Sequence, residues 1–428
     1  MDIPCASTHD SSLQSPASSL LSWLFEQQLK GISLGLEGPT ALLAALGDPH
    51  KRPVLHIAGT NGKGSVAAFS ASILKAAGLR VGLYTSPHLV DFRERIQING
   101  ELISLEDLEE GIRRLQSATQ SMEAVPTFFE LTTALAFDYF ARQKCDVIVL
   151  ETGMGGRLDA TNLAADKIAC AITPISMDHQ EWLGSTLAEI AREKAGIMRP
   201  GVPVVTLPQA EEVMEVLKKE AARVSASLII VDEPVAPETQ LGLAGFHQRW
   251  NAALALEMIE QGPWTISKEI KQQGLENVSW PGRFQRCLLK NGQEIILDGA
   301  HNPAAAEQLV ATWREVFPGK KCCLVFGSLV DKEGEKMLRI LEPITSSIIL
   351  VSVHSPRAAS PSELQKIVPS AMTFSSLGEV LEKKNIFVDP MSLFSSDLNP
   401  PILLTGSLFL VGEALALLQG RAYLPSWQ

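Results

Sequence analysis

Gly59-Thr60-Asn61-Gly62-Lys63-Gly64-Ser65 is the stretch that decides the fold. It follows the apolar run Val54–Ala58 and precedes an amphipathic pattern over Ser65–Ala77, which together predict a strand, a tight turn and a helix. In such a unit, backbone N–H groups and the positive end of the helix point at one anion. Lys63 adds a charge, and the Ser65 hydroxyl suits Mg²⁺, so the stretch predicts a loop that binds nucleotide phosphate. An extra glycine separates the lysine from the serine of the strict G-x-x-x-x-G-K-[ST] pattern, so a glycine-rich turn with an incidental lysine stays open as the alternative.

The composition is typical of a globular protein. Of 428 residues, 46% are apolar and 20% are charged, which predicts sizeable cores in two or three folded units. The formal net charge of −11 argues against nucleic acid or an anionic membrane as a partner, although a local basic groove can still hold an anionic substrate. No apolar run reaches the ~20 residues that span a bilayer. Residues 1–20 lack the basic start of a signal peptide, and the six cysteines lack metal-like spacing. We therefore expect a cytoplasmic protein.

Beyond the phosphate loop, short apolar runs alternate with helical patterns, which predicts parallel α/β layers. A turn-forming segment, Ser279–Gly282, interrupts this rhythm, which then restarts. We expect three parts: a flexible tail over residues 1–17, a P-loop-type ATPase domain with a mostly parallel sheet over 18–282, and a smaller Rossmann-like α/β domain over 283–428. The predicted strands are Val54–Ala58, Val81–Tyr84, Val147–Leu150, Ile168–Thr173, Val202–Leu207, Leu228–Val231, Glu294–Leu297, Cys322–Phe326, Ile348–Val353 and Ile402–Leu404.

Three polar residues are candidates for chemistry. Glu151 follows the apolar strand Asp146–Leu150 at its carboxyl end, the edge at which open α/β sheets bind ligands. A carboxylate there suits Mg²⁺ beside phosphate oxygens, and a helix cap or a structural salt bridge is the alternative. His179 alone is more typical of a satisfied polar residue than of a ligand, and its neighbour Asp178 is placed to orient the ring. Lys194, in a helical pattern, is in the commoner case a solvated surface lysine.

The phosphate loop is one of several motifs that occur in the order of a known family. The others are Tyr84-Thr85-Ser86-Pro87-His88-Leu89, Glu151–Asn162, Asp178-His179, Glu193-Lys194-Ala195-Gly196-Ile197, Pro281-Gly282-Arg283-Phe284, Asp298–Pro303 and Thr405-Gly406-Ser407-Leu408. Over residues 30–415 the chain resembles the folylpolyglutamate synthase/dihydrofolate synthase branch of the Mur ligase superfamily. The resemblance implies an ATP-dependent ligase that joins L-glutamate to dihydropteroate and to reduced folates through an acyl phosphate.

The resemblance also implies the residues that bind ATP. Asn251 is expected on the adenine side, Arg283 at the phosphates or ribose, and Asp298 at the ribose. The nucleotide-binding set is Asn61, Gly62, Lys63, Gly64, Ser65, Asn251, Arg283 and Asp298, and the catalytic set is Lys63, Lys194 and His301.

Two Mg²⁺ sites are implied in the same way, with K⁺ as a further ion. Ser65 and Glu151 hold one Mg²⁺, and Ser86, Glu151 and His179 surround the second. In related ligases the lysine at the position of Lys194 is carbamylated. The chemistry is coherent, because a lysine desolvated near cations loses its proton more readily and the neutral amine can take up CO₂.

The pterin pocket implied by the resemblance comprises Leu36, Thr127, Phe129, Arg157, Asp159 and Ala160. Aromatic stacking on a flat heterocycle suits Phe129, although two adjacent aromatic residues at a helix start are more typical of a core. The loops that carry Lys332 and Arg357 are expected near the glutamate carboxylates. Closure of the two domains about Pro281–Gly282 is expected to shield the acyl phosphate from water.

Three other functions stay open from the sequence: a folylpolyglutamate synthase without the first activity, a peptidoglycan Mur ligase, and a P-loop nucleotide switch. The extra glycine of the phosphate loop, together with Ser86–His88 and Glu151–Asn162, argues against a peptidoglycan ligase. The metal and C-terminal motifs argue against a switch. We expect a monomer whose partners are ATP, L-glutamate and dihydropteroate or a reduced folate.

Overall fold

The computed structural model describes residues 16–31, 35–289, 292–382 and 400–423. The expected tail over 1–17 lies outside the described residues except for its last two positions, where the first helix begins. Among the residues described, no helix combines the length and the apolar character needed to cross a membrane.

Fourteen described strands form two sheets. The first sheet contains β1 Pro53–Ala58, β2 Val81–Tyr84, β3 Ile96–Ile98, β4 Glu101–Leu102, β5 Val147–Glu151, β6 Asp166–Ile172, β7 Val204–Thr206 and β8 Leu228–Ile230. The second contains β9 Gln285–Leu288, β10 Glu294–Leu297, β11 Cys322–Phe326, β12 Thr345–Val351, β13 Met372–Phe374 and β14 Ile402–Thr405.

The helices alternate with these strands. Those that accompany the first sheet are α1 Pro16–Glu26, α2 Glu37–Ala45, α3 Lys63–Ala76, α4 Leu105–Thr119, α5 Phe128–Arg142, α6 Gln180–Leu183, α7 Leu187–Ala195, α8 Glu211–Val224, α9 Phe246–Glu260 and α10 Lys268–Glu276. Those that accompany the second are α11 Pro303–Val316, α12 Gly334–Leu341, α13 Pro361–Gln365, α14 Leu377–Glu382 and α15 Leu408–Leu418. Short 3₁₀ turns occur at Gln27–Lys30, Phe92–Arg95, Ala160–Leu163 and Glu342–Ile344.

The first sheet has the order β4-β3-β2-β5-β1-β6-β7-β8 and is parallel except at the β3 and β4 edge. Strand β1 lies between β5 and β6, and Ile57 is in register with Glu151 on β5. Because parallel strands end at the same edge of a sheet, the loop after β1 and the carboxylate that ends β5 lie side by side. The connectivity therefore brings the phosphate loop to Glu151.

The second sheet has the order β13-β12-β11-β14-β10-β9 and is parallel except for its edge strand β9. Together the two sheets confirm the mixed α/β fold expected from the sequence. Strands β2, β10 and β11 have the predicted bounds, and most of the other predicted strands differ by one or two residues at an end. Strands β3, β4, β9 and β13 were not predicted, since all are short and partly exposed, so a buried apolar run does not mark them.

Helix α3, which carries the phosphate loop at its start, is held by helix α10. An ideal Cβ built on Gly274 of α10 lies only 2.5 Å from the Cα of Ile73 on α3, so the two backbones touch. The Ser72 hydroxyl donates a hydrogen bond of 2.7 Å to the Gly274 carbonyl. The glycine is therefore required by packing, and the contact fixes the helix behind the loop.

We expect Gly274→Ala to lower the free energy of unfolding by about 1–3 kcal/mol, because the new methyl group overlaps the α3 backbone. Gly378→Ala in α14 is the matched control, since a Cβ there meets only the Ser376 hydroxyl at 3.7 Å. Alanine is the better helix former, so this control is expected to leave stability unchanged or to raise it by up to about 1 kcal/mol. Urea unfolding of both variants checks the pair, and equal effects would contradict the close contact.

Candidate active site

A cleft with a volume of about 890 Å³ runs between the carboxyl edge of the first sheet and the second sheet. It collects residues from distant parts of the chain. The candidates from the sequence that line it are Asn61, Gly62, Lys63, Gly64, Ser65, Ser86, Thr127, Phe129, Glu151, Asp159, Ala160, His179, Lys194, Asn251, Arg283, Asp298, His301, Lys332 and Arg357.

Two candidates lie elsewhere. Leu36 is the residue before α2, and its carbonyl accepts the Thr40 N–H at 3.0 Å. Arg157 is exposed, and its Nη2 lies 2.8 Å from the Glu193 carboxylate. The structure therefore brings neither side chain into the cleft lining with the other pterin-pocket candidates.

The phosphate loop has the backbone that its glycines predict. Gly59 has φ 145°, and a Cβ there would lie 1.8 Å from the Thr173 hydroxyl oxygen. Gly62 has φ 92°, and a Cβ there would lie 2.6 Å from Oδ1 of Asn251. Helix α3 begins directly after this residue, at Lys63, so its free N–H groups face the cleft. Such a cradle of amides and one lysine fits a polyphosphate.

Lys194 lies beneath this loop and is not the surface lysine of the commoner case. Its side chain is buried, and Nζ donates a hydrogen bond of 2.8 Å to the Gly59 carbonyl. Burial, reinforced by the charge of Lys63, lowers the pKa of Lys194 to about 7. A substantial fraction of this amine is therefore neutral at physiological pH.

Glu151 and Ser86 meet at the neighbouring strand end. The Ser86 N–H donates a hydrogen bond of 3.1 Å to Oε2 of Glu151. Burial raises the pKa of Glu151, while Lys63 and this N–H act in the opposite direction. An enclosed carboxylate beside two serine hydroxyls, those of Ser65 and Ser86, fits a hard divalent cation. Within the described ranges, no three His, Cys, Asp or Glu side chains are grouped as a metal site, so the serines and phosphate oxygens have to complete any such sphere.

Asp178 connects the two halves of the molecule, a role that sequence reasoning missed. Its Oδ1 lies 2.5 Å from Nζ of Lys332, and its Oδ2 lies 3.7 Å from Nε2 of His301 and 3.9 Å from Nε2 of His179. Burial alone raises the pKa of Asp178, but the neighbouring His301, His179 and Lys332 side chains hold that pKa well below the usual range. Because Lys332 is 154 residues away in sequence, only the fold reveals the pair.

A second contact joins the halves at the phosphate loop itself. The side-chain amides of Asn61 and Asn302 bond to each other, with nitrogen–oxygen distances of 3.0 and 3.3 Å. Oδ1 of Asn302 also accepts the Ala305 N–H and so caps α11. His301 is held because its Nδ1 donates to the Gly299 carbonyl at 2.8 Å, which leaves Nε2 toward Asp178. The loop after β10 therefore faces the phosphate loop directly.

One end of the cleft is formed by α9 and the start of the second half. Asn251 is buried, and its Nδ2 donates to Oε1 of Gln248 at 2.9 Å. Asp298 accepts the N–H groups of Phe284 at 2.8 Å and Ala300 at 2.9 Å. Burial raises the pKa of Asp298, against the opposing charge of Arg283. These hydrogen bonds fix the side chains of Asn251 and Asp298 at this end of the cleft.

His247 also lines this end and was not a candidate from the sequence. Burial, reinforced by Arg283, lowers its pKa to about 4, so the ring is neutral. The sequence analysis named only Asn251 on this helix. The spacing of four residues from His247 to Asn251 is the signal that places both on one face of α9.

Another part of the cleft lining is formed by the start of α5 and the segment after β5. Phe128 is almost fully buried, whereas Phe129 is partly exposed and packs under Gly153, where a Cβ would lie 2.4 Å from the ring. Thr127 caps α5, with its N–H donating to the Glu130 carboxylate at 2.7 Å, and Asp159 accepts the Met154 N–H at 2.8 Å. Phe129 therefore shares the lining with polar side chains that hydrogen bonds hold in place.

Comparison with known proteins identifies the family. The Mur ligase middle domain matches residues 57–234, and the glutamate ligase domain of Mur ligases matches residues 282–390. The chain is 34% identical to the dihydrofolate synthase/folylpolyglutamate synthase of Bacillus subtilis, over 92% of this chain and 96% of that protein. The chain belongs to the folylpolyglutamate synthase/dihydrofolate synthase family of Mur ligases.

Solved structures of family members agree with the fold. FolC of E. coli in complex with DHPP and ADP has a TM-score of 0.84 and 29% identity, covering 96% of this chain and 99% of that one. The bifunctional enzyme of Yersinia pestis with AMPPNP and an Mn ion has a TM-score of 0.82 and 32% identity, covering 96% and 100%. Membership of the family makes this chain an ATP-dependent ligase and confirms the reaction class that the motifs predict; it excludes the nucleotide switch.

The Asp178–Lys332 pair predicts a measurable coupling between the halves. Both side chains are nearly enclosed, at 8% and 11% exposure, so we expect Asp178→Asn or Lys332→Met alone to lower the free energy of unfolding by about 3 kcal/mol. A double-mutant cycle should give a coupling of about 1–3 kcal/mol. Because the pKa of Asp178 lies below its usual range, the coupling is present above the ordinary aspartate pKa and is lost only as the pH falls through the lower folded-state value.

The exposed pair Glu363–Lys366 is the control for this cycle. Its side chains are 66% and 69% exposed, and its coupling is expected to stay below about 0.5 kcal/mol. Equal coupling in the two pairs would show that Asp178 and Lys332 do not join the halves.

Proposed function

We propose that the chain adds L-glutamate to dihydropteroate and then to reduced folates, each time at the expense of one ATP. The observation that carries this proposal is the single cleft, whose lining contains the phosphate loop, Glu151 and His301 together with Phe129 and Asp159. The relative in Bacillus subtilis is named for both activities, and the E. coli relative binds DHPP beside ADP. A folylpolyglutamate synthase without the first activity is the alternative.

The reaction proceeds in two displacements. A carboxylate oxygen of the pterin substrate attacks the γ-phosphorus of ATP, so a P–O bond forms, ADP leaves and an acyl phosphate results. The amine of L-glutamate then attacks the acyl carbon, phosphate leaves, and the nitrogen loses a proton as the amide forms. Lys63 and the N–H groups at the start of α3 hold and align the phosphates, and the enclosed cleft keeps water from the acyl phosphate.

Two Mg²⁺ ions complete the proposal. Ser65 and Glu151 hold one, and Ser86, Glu151 and His179 hold the other. Bound there, the ions neutralise phosphate charge and orient the transferred group. The Mn ion of the Yersinia pestis relative supports a divalent metal in the family. Desolvation lowers the pKa of His179, so its ring offers a lone pair. We also propose K⁺ as a further bound ion.

We assign roles to His301 and Arg283 from their positions in the cleft lining. His301, near Asp178 and Lys332, faces the place where glutamate meets the acyl group, and Arg283 reaches the phosphates from the second half. We place the domain boundary near residue 282, which the two matched ranges support. We also propose a monomer acting in the cytoplasm, as expected from the sequence.

Lys63→Ala is expected to abolish turnover while the fold is retained. The assay measures ADP release with ATP, Mg²⁺, L-glutamate and either dihydropteroate or tetrahydrofolate. We expect release that depends on both the pterin substrate and glutamate, and a loss of at least about 100-fold in the variant. Lys75→Ala, an exposed lysine on the same helix, is the control and should retain activity. Normal turnover in Lys63→Ala removes the phosphate-loop assignment, and activity with tetrahydrofolate alone selects the alternative.

Carbamylation of Lys194 predicts a lysine-specific signal after incubation with ¹³C-bicarbonate. Because only the neutral amine takes up CO₂ and the pKa of Lys194 is about 7, the neutral fraction rises about tenfold between pH 6 and 8, and the carbamate signal should rise with it at fixed dissolved CO₂. Carbon NMR of the protein checks this.

Lys167 supplies the control for that experiment. It is also buried with a pKa lowered to about 7, but its Nζ donates to Oδ1 of Asn162 at 2.7 Å and to the Ile197 carbonyl at 2.9 Å, outside the cleft lining. The signal should vanish in Lys194→Met and persist in Lys167→Met. A fully active enzyme with no signal from Lys194 contradicts the assignment.

A further inference from the structure

Arg95 is a buried cation that the reaction described above does not use. It ends the 3₁₀ turn before β3, and its side chain has no exposed area. The guanidinium lies over the Phe128 ring, with its central carbon 5.3 Å from the ring centroid. Its Nη1 and Nη2 atoms have no hydrogen-bond partner among the residues described. Burying a guanidinium in this way is costly, so its position calls for a function.

The hydrogen bonds of Arg95 enclose one short turn. Its backbone carbonyl accepts the Thr85 N–H at 3.1 Å, and its Nε donates to Nδ1 of His88 at 2.8 Å. Ser86 lies between these two anchors, and its N–H donates to Glu151 at 3.1 Å. One arginine therefore holds both sides of the turn that presents Ser86 to the carboxylate.

The chain beyond this turn is fixed independently. Leu89 and Val90 pack into the apolar core of the second half, together with Val411 of α15. The Glu94 carboxylate accepts the N–H groups of Leu89 at 2.7 Å and Val90 at 3.0 Å. These contacts fix the chain that follows the turn Thr85–His88. The position of the turn itself then depends on its contacts with Arg95.

We propose that Arg95 is a positioning residue for metal binding: it holds the turn Thr85–His88 so that Ser86 and Glu151 face one point in the cleft. The inference rests on the proposed function, in which these two residues share a divalent ion. An arginine that only stabilises the fold would change the unfolding temperature and leave metal affinity unaltered.

The test measures Mn²⁺ binding to the full chain saturated with AMPPNP, by electron paramagnetic resonance of free Mn²⁺. We expect Arg95→Met and His88→Leu each to raise the Mn²⁺ dissociation constant about 10-fold or more, the size of effect seen when a group supporting a metal ligand is lost. Metal-free binding of AMPPNP should stay within about twofold, since Lys63 and α3 are untouched. Arg95→Lys, which keeps the charge and one donor, should recover part of the affinity.

Arg142→Met is the control, because its guanidinium also lies over an aromatic ring, 5.9 Å from the Tyr139 centroid, but it pairs with Asp138 at 2.9 Å instead of holding the turn Thr85–His88. It should bind Mn²⁺ like the wild type. Unchanged Mn²⁺ affinity in folded Arg95→Met overturns the inference. Failure of the wild type to bind Mn²⁺ with AMPPNP refutes the proposed function instead.

A crystallographic measurement on the wild type covers the case in which the buried variants do not fold. In crystals with AMPPNP and Mn²⁺, an anomalous peak coordinated by Ser86 and Glu151, with the Arg95–His88 bond intact, supports the positioning role. A peak without Ser86 in its coordination sphere overturns it.

Discussion

The ion pair between Asp178 and Lys332 is the interaction on which the shape of the cleft depends. It joins a loop at the carboxyl edge of the first sheet to a loop of the second sheet, and both side chains are nearly enclosed. An ion pair withdrawn from water is stable only when its geometry is maintained, so it fixes how the halves face each other. His301 and Asn302 reach the phosphate loop because this relation is fixed.

The lining of the cleft carries charges of both signs. Lys63, Lys194 and Arg283 line it together with carboxylates such as Glu151 and Asp178. Such a mixture suits an anion that arrives with its own cations. The lowered pKa of Lys194 is a direct product of the crowding, since burial and Lys63 both disfavour its charged form.

Sequence reasoning predicted the parts of the molecule that depend on local pattern. Buried strands such as β11 and the glycine-bearing phosphate loop carry their signal within a few residues, and the resemblance placed Glu151, Lys194 and His301 in one site. Contacts between distant segments were not accessible, which is why Asp178 was seen only as the neighbour of His179. The edge strand β9 begins with two polar residues, Gln285 and Arg286, and lacks the apolar run on which the strand predictions relied.

The insertion of Leu89 into the second half has a consequence for how the enzyme opens. Gly282, at the junction, leaves room for this side chain: a Cβ there would lie 3.2 Å from Cδ1 of Leu89 and 3.0 Å from Val411. Separating the lobes would pull the leucine out of its apolar surroundings and loosen the segment that carries Ser86. Separation of the two halves would therefore also disturb the proposed metal site at Ser86. ATP hydrolysis by the open enzyme would then be disfavoured, because that site would be complete only when the halves are closed.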